Sequence, residues 1–94
     1  MKRLTEIEIQ NALSSLEGWK MEKDGIVKSF VFKSFKAALA SMNRIGEVAE
    51  EINHHPEWFN VYNKLDIRLS THDIGGITQL DIDLAKAIEE IVKG

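Results

Sequence analysis

Residues 50–81 read EEINHHPEWFNVYNKLDIRLSTHDIGGITQLD, and the breaks in this stretch decide the fold. Pro56 disfavours the α conformation in the residue before it, so a helix entering here must end by His54 or His55. Trp58 to Tyr62 reads as a strand, rich in aromatic and β-branched residues. Leu65, Ile67 and Leu69 alternate with Asp66, Arg68 and Ser70, the pattern of a strand with one buried face. Asn63-Lys64 reads as the two-residue turn between them, with Asn63 as the residue that accepts positive φ. A single long strand through Asn63 is the competing reading. Thr71 to Ile77 holds the Gly75-Gly76 pair and reads as a loop, because glycine lets the backbone turn sharply or approach another group closely. Thr78 and Asp81 stand at capping-box spacing and open a further helix.

Upstream, Ser34 is a good N-cap. Phe35, Ala38, Leu39, Met42, Ile45, Ala49 and Ile52 fall on one face of the long helix that follows. Gly46 lies on the same stripe, which suggests close packing against a sheet or another helix. Before it, Trp19 to Lys23 alternates apolar and polar residues, Asp24-Gly25 signals a tight turn, and Ile26 to Lys33 continues as a strand. That second strand has Phe30 and Phe32 on one face and Val27 and Val31 on the other, which fits a central position or an oligomer contact. At the N-terminus, Thr5 with Glu8 makes a capping box, and Leu4 with Ile9 a hydrophobic staple. Ile9, Ala12, Leu13 and Leu16 form the stripe of that first helix, and Gly18 reads as its end. Downstream of Asp81, Leu80, Leu84, Ala87, Ile88 and Ile91 form the last stripe. The order is α-β-β-α-β-β-α. Two hairpins can make one four-stranded antiparallel sheet with helices on one face, an α+β two-layer domain spanning 1–94. The other sheet face, or an unpaired edge, is left for a partner subunit.

Composition narrows the function. The chain has 94 residues, 29% charged and 44% apolar, as a soluble globular domain has. A net charge of −3 argues against a nucleic-acid surface, which needs clustered Lys and Arg. The absence of cysteine excludes disulfides, thiolate zinc sites and thiol nucleophiles. No apolar run approaches a membrane span, and MKRLTEIEIQ lacks a signal-peptide core, so the expected compartment is the cytoplasm. GxSxG, GxGxxG and GxxxxGK[ST] motifs are absent, and no HxH or HExxH spacing points to a metal.

What remains is histidine chemistry. All three histidines lie between Glu50 and Asp81. His54 and His55 stand at a helix C-terminus, whose partial negative charge favours imidazolium, a useful general acid. The extended backbone around His55 should make the two rings diverge. One of them can equally cap helix carbonyls while the other lies on the surface. His72 sits in a loop just past the buried strand, where reactive groups on rigid elements tend to lie, or where a turn histidine simply meets solvent. Asp81 can orient a histidine or serve only as a cap. Glu50 is a second candidate acid or a solvated helix residue. Trp58, Phe59 and Tyr62 can stack on a flat heteroaromatic ring or pack in a core or interface.

The pieces His54-His55-Pro56-Glu57-Trp58, Asn60-Val61-Tyr62-Asn63, Leu69-Ser70-Thr71-His72-Asp73 with the glycines, and Asp81 with Leu84-Ala85 resemble the signature of pterin-4a-carbinolamine dehydratases. No active-site residue type of that family is missing. The resemblance implies dehydration of 4a-hydroxytetrahydropterin to quinonoid dihydropterin, which recycles the cofactor of aromatic amino-acid hydroxylases. It implies His54, His55 and His72 as catalytic residues, with His54 and His72 as the proton-transfer candidates. It implies Glu50, Pro56, Trp58, Thr71, Asp73, Ile74 and Asp81 as substrate contacts. It implies no metal and no cofactor, and a homodimer or homotetramer. Some animal relatives also bind a homeodomain transcription factor, so a non-catalytic binding protein is the alternative.

Overall fold

The computed structural model describes residues 1–94. The elements are α1 (Glu6–Leu13), β1 (Lys20–Glu22), β2 (Gly25–Val31), α2 (Phe35–Ile52), β3 (Glu57–Val61), β4 (Lys64–Leu69) and α3 (Gln79–Lys93). This is the predicted α+β order. The strands form one antiparallel sheet in the order β1-β2-β4-β3, so the two hairpins join through their inner strands. β2 is central, one of the two readings its apolar content on both faces allowed, while its Val27 and Val31 lie on the face away from the core. No helix is long and apolar enough to cross a membrane.

Alternation sorts the sheet into two faces. Ile26, Phe30, Leu65, Ile67 and Leu69 share one face and are buried. They form one core with Ile45 of α2 and with Leu84, Ala85, Ile88 and Ile91 of α3. Each of the leucine, isoleucine and phenylalanine side chains contributes on the order of 1.5–3 kcal/mol of transfer free energy, before the entropy of ordering it. The opposite face carries Ser29, Val31, Glu57, Phe59, Asp66 and Arg68. It is left uncovered, with Val31 and Phe59 exposed.

Element ends differ from expectation in ways that have local causes. The capping box at Thr5 and Glu8 closes with both bonds. However, α1 stops at Leu13 rather than Gly18. The Ser14 and Ser15 hydroxyls donate back to the Asn11 and Ala12 carbonyls at 2.6 and 3.2 Å, a bonding pattern that competes with helix continuation. The chain then turns on to Gly18, whose φ of +88° is left-handed. In the first hairpin Glu22 pairs with Gly25, so the turn is Lys23-Asp24 and the positive φ falls on Lys23. In the second, Val61 pairs with Lys64, so the turn is Tyr62-Asn63 rather than Asn63-Lys64, and Tyr62 takes the positive φ. Asn63 is engaged elsewhere: its Nδ2 donates to the Phe32 carbonyl, and the Phe32 N–H donates to the Asn63 carbonyl, both at 2.8 Å. The two strands with a turn between them exclude the single-strand alternative.

Helix faces also shift. In α2, Ala38, Ile45 and Ala49 are buried, but Phe35 and Leu39 remain 46% and 42% exposed. Phe35 and Leu39 therefore lack full cover within the chain, although Ala38 beside them is buried. A Cβ on Gly46 would meet nothing within 4 Å, so close packing inside this chain is not what Gly46 serves. In α3 the buried face includes Asp81, Ile82 and Ala85, while Leu80 and Ala87 sit at its margin.

Candidate active site

The end of α2 sends the two adjacent histidines in opposite directions. Asn53 caps the helix in the left-handed conformation, with φ +53°. The His54 N–H closes the motif on the Ala49 carbonyl at 3.0 Å. From there the His54 ring runs inward and is buried, with Nε2 2.6 Å from Asp81 Oδ1. The His55 ring runs outward, with Nε2 2.5 Å from Glu50 Oε2 on the last turn of α2. The rings diverge, as extended backbone at this point predicts.

Asp81 is fully buried in the first turn of α3. Its Oδ2 accepts from the Thr78 N–H and from Thr71 Oγ1, both at 2.9 Å. Thr71 and Thr78 meet each other at 2.8 Å through their hydroxyls. An ionised carboxylate can only accept, so the bond to Oδ1 places a proton on His54 Nε2. Nδ1 is then the free ring nitrogen in the neutral form. The partial charges of the α2 C-terminus and the α3 N-terminus complement this pair.

His72 stands in the loop after β4. The Thr71 N–H donates to the Gly76 carbonyl at 2.8 Å and closes the loop, with Gly75 at φ +70°. The N-terminal segment braces it: the Leu4 N–H donates to the Ile77 carbonyl at 2.8 Å, and Arg3 Nη1 to the Gly75 carbonyl at 3.3 Å. The His72 ring is exposed, with Nε2 2.7 Å from Glu57 Oε2. Each of the three histidines thus has its own carboxylate.

His54, His55 and His72 border one polar cleft of about 300 Å³, together with Asn53, Pro56, Glu57, Ser70, Thr71 and Asp73. Rings distant in sequence therefore meet at a single site. Glu50 and Asp81 lie one hydrogen bond behind it, through His55 and His54. Trp58 and Ile74 do not border it. Trp58 lies beside a larger groove of about 740 Å³ on the open sheet face, which contains no histidine. Glu57 borders both spaces. No three His, Asp or Glu side chains converge in a metal-binding arrangement.

Sequence reasoning assigned nothing to Glu57 or Arg68. Arg68 Nη1 donates to Glu57 Oε2 at 3.2 Å, and Nη2 donates to Asp24 Oδ1. The Arg68 hydrogen bond holds the Asp24 carboxyl below the usual carboxylate range. The same bond raises the Arg68 guanidinium. The signal that would find this set is the cross-strand register of Glu57 and Arg68, which depends on where the second hairpin turns.

Comparison with known proteins decides what this geometry belongs to. Residues 2–91 match the family model described as pterin 4 alpha carbinolamine dehydratase. The chain belongs to this family. A relative from Christiangramia forsetii is 50% identical, over 99% of this chain and 96% of its own. One from Sulfurisphaera tokodaii is 45% identical, over 98% and 99%. Both carry the name "Putative pterin-4-alpha-carbinolamine dehydratase". Among solved structures, a transcriptional coactivator/pterin dehydratase from Brucella melitensis aligns with a TM-score of 0.95 at 43% identity, over 97% of this chain and 99% of that one. A pterin dehydratase-like RuBisCO assembly factor of the alpha-carboxysome aligns with a TM-score of 0.66 at 16% identity, over 79% and 86%, a likeness of fold alone. The dehydratase family therefore includes the fold, the order of elements and the histidine-bearing stretch of this chain.

Proposed function

We propose that the chain dehydrates 4a-hydroxytetrahydropterin to quinonoid dihydropterin and water by histidine acid–base catalysis, and so recycles the cofactor of aromatic amino-acid hydroxylases. One observation carries the reading: three imidazoles, each with its own carboxylate, border one polar cleft in a chain of this family. In the reaction the pterin N5 lone pair expels the C4a hydroxyl. One imidazolium gives its proton to that leaving hydroxyl, which departs as water. One neutral imidazole takes a proton from the ring, so charge and protons balance. Positioned groups of this kind contribute a factor of about 10²–10⁴. His54 and His72 are the proton-transfer residues, and His55 grips the pterin or shares that role. Pro56, Thr71 and Asp73 border the substrate, and Glu50 and Asp81 hold the rings.

The same reading includes a homodimer or homotetramer. It is supported by the uncovered Phe35 and Leu39 of α2, and by the unpaired edge of β3 with exposed Phe59, Val61 and Tyr62.

The test is turnover of 4a-hydroxytetrahydropterin, followed as quinonoid dihydropterin absorbance, with and without a chelator. Chelator-resistant acceleration, lost in His54→Ala or His72→Ala, is the expected result. A folded chain that does not accelerate the reaction refutes the proposal and favours a binding role. Chelator-sensitive activity would instead point to a metal.

A further inference from the structure

The three carboxylates that face the histidines are held in place very differently. Asp81 is locked by burial, by two threonines and by a helix cap. Glu50 has His55 as its one side-chain partner. Glu57 is exposed too, yet its Oε2 takes two donors, His72 Nε2 at 2.7 Å and Arg68 Nη1 at 3.2 Å. Arg68 continues the line through Nη2 to Asp24 in the β1–β2 turn. The guanidinium thus bridges carboxylates from both hairpins.

This bridge is built into the sheet. Arg68 is directly opposite Glu57 on one side and Val27 on the other, so the Arg68 and Glu57 side chains rise from the same face. Gly25 makes room for it. A Cβ there would come within 2.8 Å of Arg68 Cζ and 3.0 Å of Nη1, and within 2.9 Å of the Leu69 carbonyl oxygen. Gly25 does not have a positive φ, so space rather than backbone conformation is what demands glycine here. The Arg68 side chain is 26% exposed, against 68% for His72.

We propose that Arg68 is a positioning residue for His72: acting through Glu57, the Asp24–Arg68–Glu57 bridge fixes the tautomer and the place of the His72 ring at the mouth of the cleft. An exposed histidine in a loop rotates freely unless a partner holds it. A lone surface carboxylate is a poor partner, because holding both side chains costs about as much entropy as the bond returns. The second bond from Arg68 confines Glu57 beforehand, so the ring docks on a fixed acceptor. Because Glu57 only accepts, His72 presents its N–H from Nε2 and keeps Nδ1 free for proton transfer. The kinetic consequence rests on the dehydratase reading; the consequence for the ring does not.

The variants are Arg68→Met, which keeps bulk and removes the donors, Glu57→Ala, and Glu57→Gln, which keeps an acceptor oxygen. Long-range ¹H–¹⁵N spectra of the histidine rings are recorded near pH 8.5, where an ordinary histidine is neutral. The native chain should show His72 as the Nε2–H tautomer. Arg68→Met and Glu57→Ala should show mixed tautomers at His72, with the His54 signals unchanged. Glu57→Gln should restore much of the native pattern. In turnover, Arg68→Met should lower kcat on the order of 10–100-fold, with KM nearly unchanged, as misplacement of a proton-transfer group does. A purely structural cross-strand ion pair would move the melting temperature and leave the tautomer alone. Should Arg68→Met not fold, Asp24→Asn carries the test, since it frees the guanidinium from its far end and should loosen His72 in the same direction. A His72 ring with native tautomer in every folded variant of Arg68 and Asp24 refutes the proposal. A native chain with no turnover refutes the dehydratase reading, while the spectra still decide this one.

Discussion

Asp81 serves His54 and the start of α3 with different oxygens: Oδ1 lies 2.6 Å from His54 Nε2, while Oδ2 accepts the Thr78 N–H and the Thr71 hydroxyl. Capping and ring orientation are therefore one device rather than alternatives. Asp81→Ala should remove the acceptor of the Thr78 N–H, leave Thr71 with the Thr78 hydroxyl as its remaining side-chain partner, and leave a buried histidine unpaired. Breaking a buried pair by removing one partner costs on the order of 3–5 kcal/mol, a large share of the stability of a domain this size. Asp81→Asn keeps one acceptor oxygen and should cost less. Urea unfolding of the two variants measures both values. If Asp81→Ala unfolds at the native midpoint, the buried pair is not holding the fold.

His55 and Glu50 make the opposite case. Their side chains are 54% and 79% exposed, so their bond adds little to stability. Glu50→Gln should unfold within about 0.5 kcal/mol of the native chain. Its kcat/KM for the pterin should nevertheless fall, though by less than in Arg68→Met, because a single exposed carboxylate holds the His55 ring only weakly. A variant with native activity would place Glu50 outside the site.

Surface carboxylates held by a donor should resist acid longest. The Asp24 pKa is lowered, chiefly by the Arg68 hydrogen bond. That of Glu8 is lowered, chiefly by the Thr5 backbone N–H and then by Lys2. A depressed folded value means that the contribution is complete above the unfolded pKa and disappears as pH falls through the folded one. NMR titration of the carboxyl carbons should find both midpoints below the unfolded values of about 3.9 and 4.3. In Arg68→Met the Asp24 midpoint should rise toward the unfolded value while that of Glu8 stays. Equal midpoints for Asp24 in the two chains would mean that Arg68 does not set it.

The fold was legible because its signals are strong and local. Pro56, two capping boxes and the alternation from Leu65 to Leu69 each had one physical solution. The histidine cleft was legible in membership, since all three rings lie in one stretch, but not in detail. The reason is register. A turn at Asn63-Lys64 would set Arg68 opposite Phe59; the observed turn at Tyr62-Asn63 sets it opposite Glu57. A one-residue change in a turn moves every cross-strand partner by two, which keeps the faces and changes the pairs. Core membership survived that error, and the Glu57–Arg68 bridge did not. The exposure of Phe35 and Leu39 was illegible for a different reason, because periodicity identifies an apolar face and not what covers it.

The turn itself gives the last prediction, since it opposes propensity. Tyr62, not Asn63, holds the positive φ of +50°. A left-handed residue other than glycine costs roughly 1–2 kcal/mol. Glycine removes that strain but adds about 0.5–1 kcal/mol of unfolded-state entropy. The Tyr62 side chain is largely exposed, so little packing is lost. Tyr62→Gly should therefore be neutral or stabilising by up to about 1 kcal/mol. Asn63→Gly places glycine where sequence propensity would put it, yet it deletes the Nδ2 bond to the Phe32 carbonyl, 2.8 Å long, that ties this turn to the end of β2. It should destabilise by about 0.5–1.5 kcal/mol. Neighbouring substitutions to the same residue thus differ in sign, and urea unfolding of both, at concentrations where self-association is unchanged, reads the difference. Equal tolerance at the two positions would show that the Asn63 bond to the Phe32 carbonyl does not stabilise this turn.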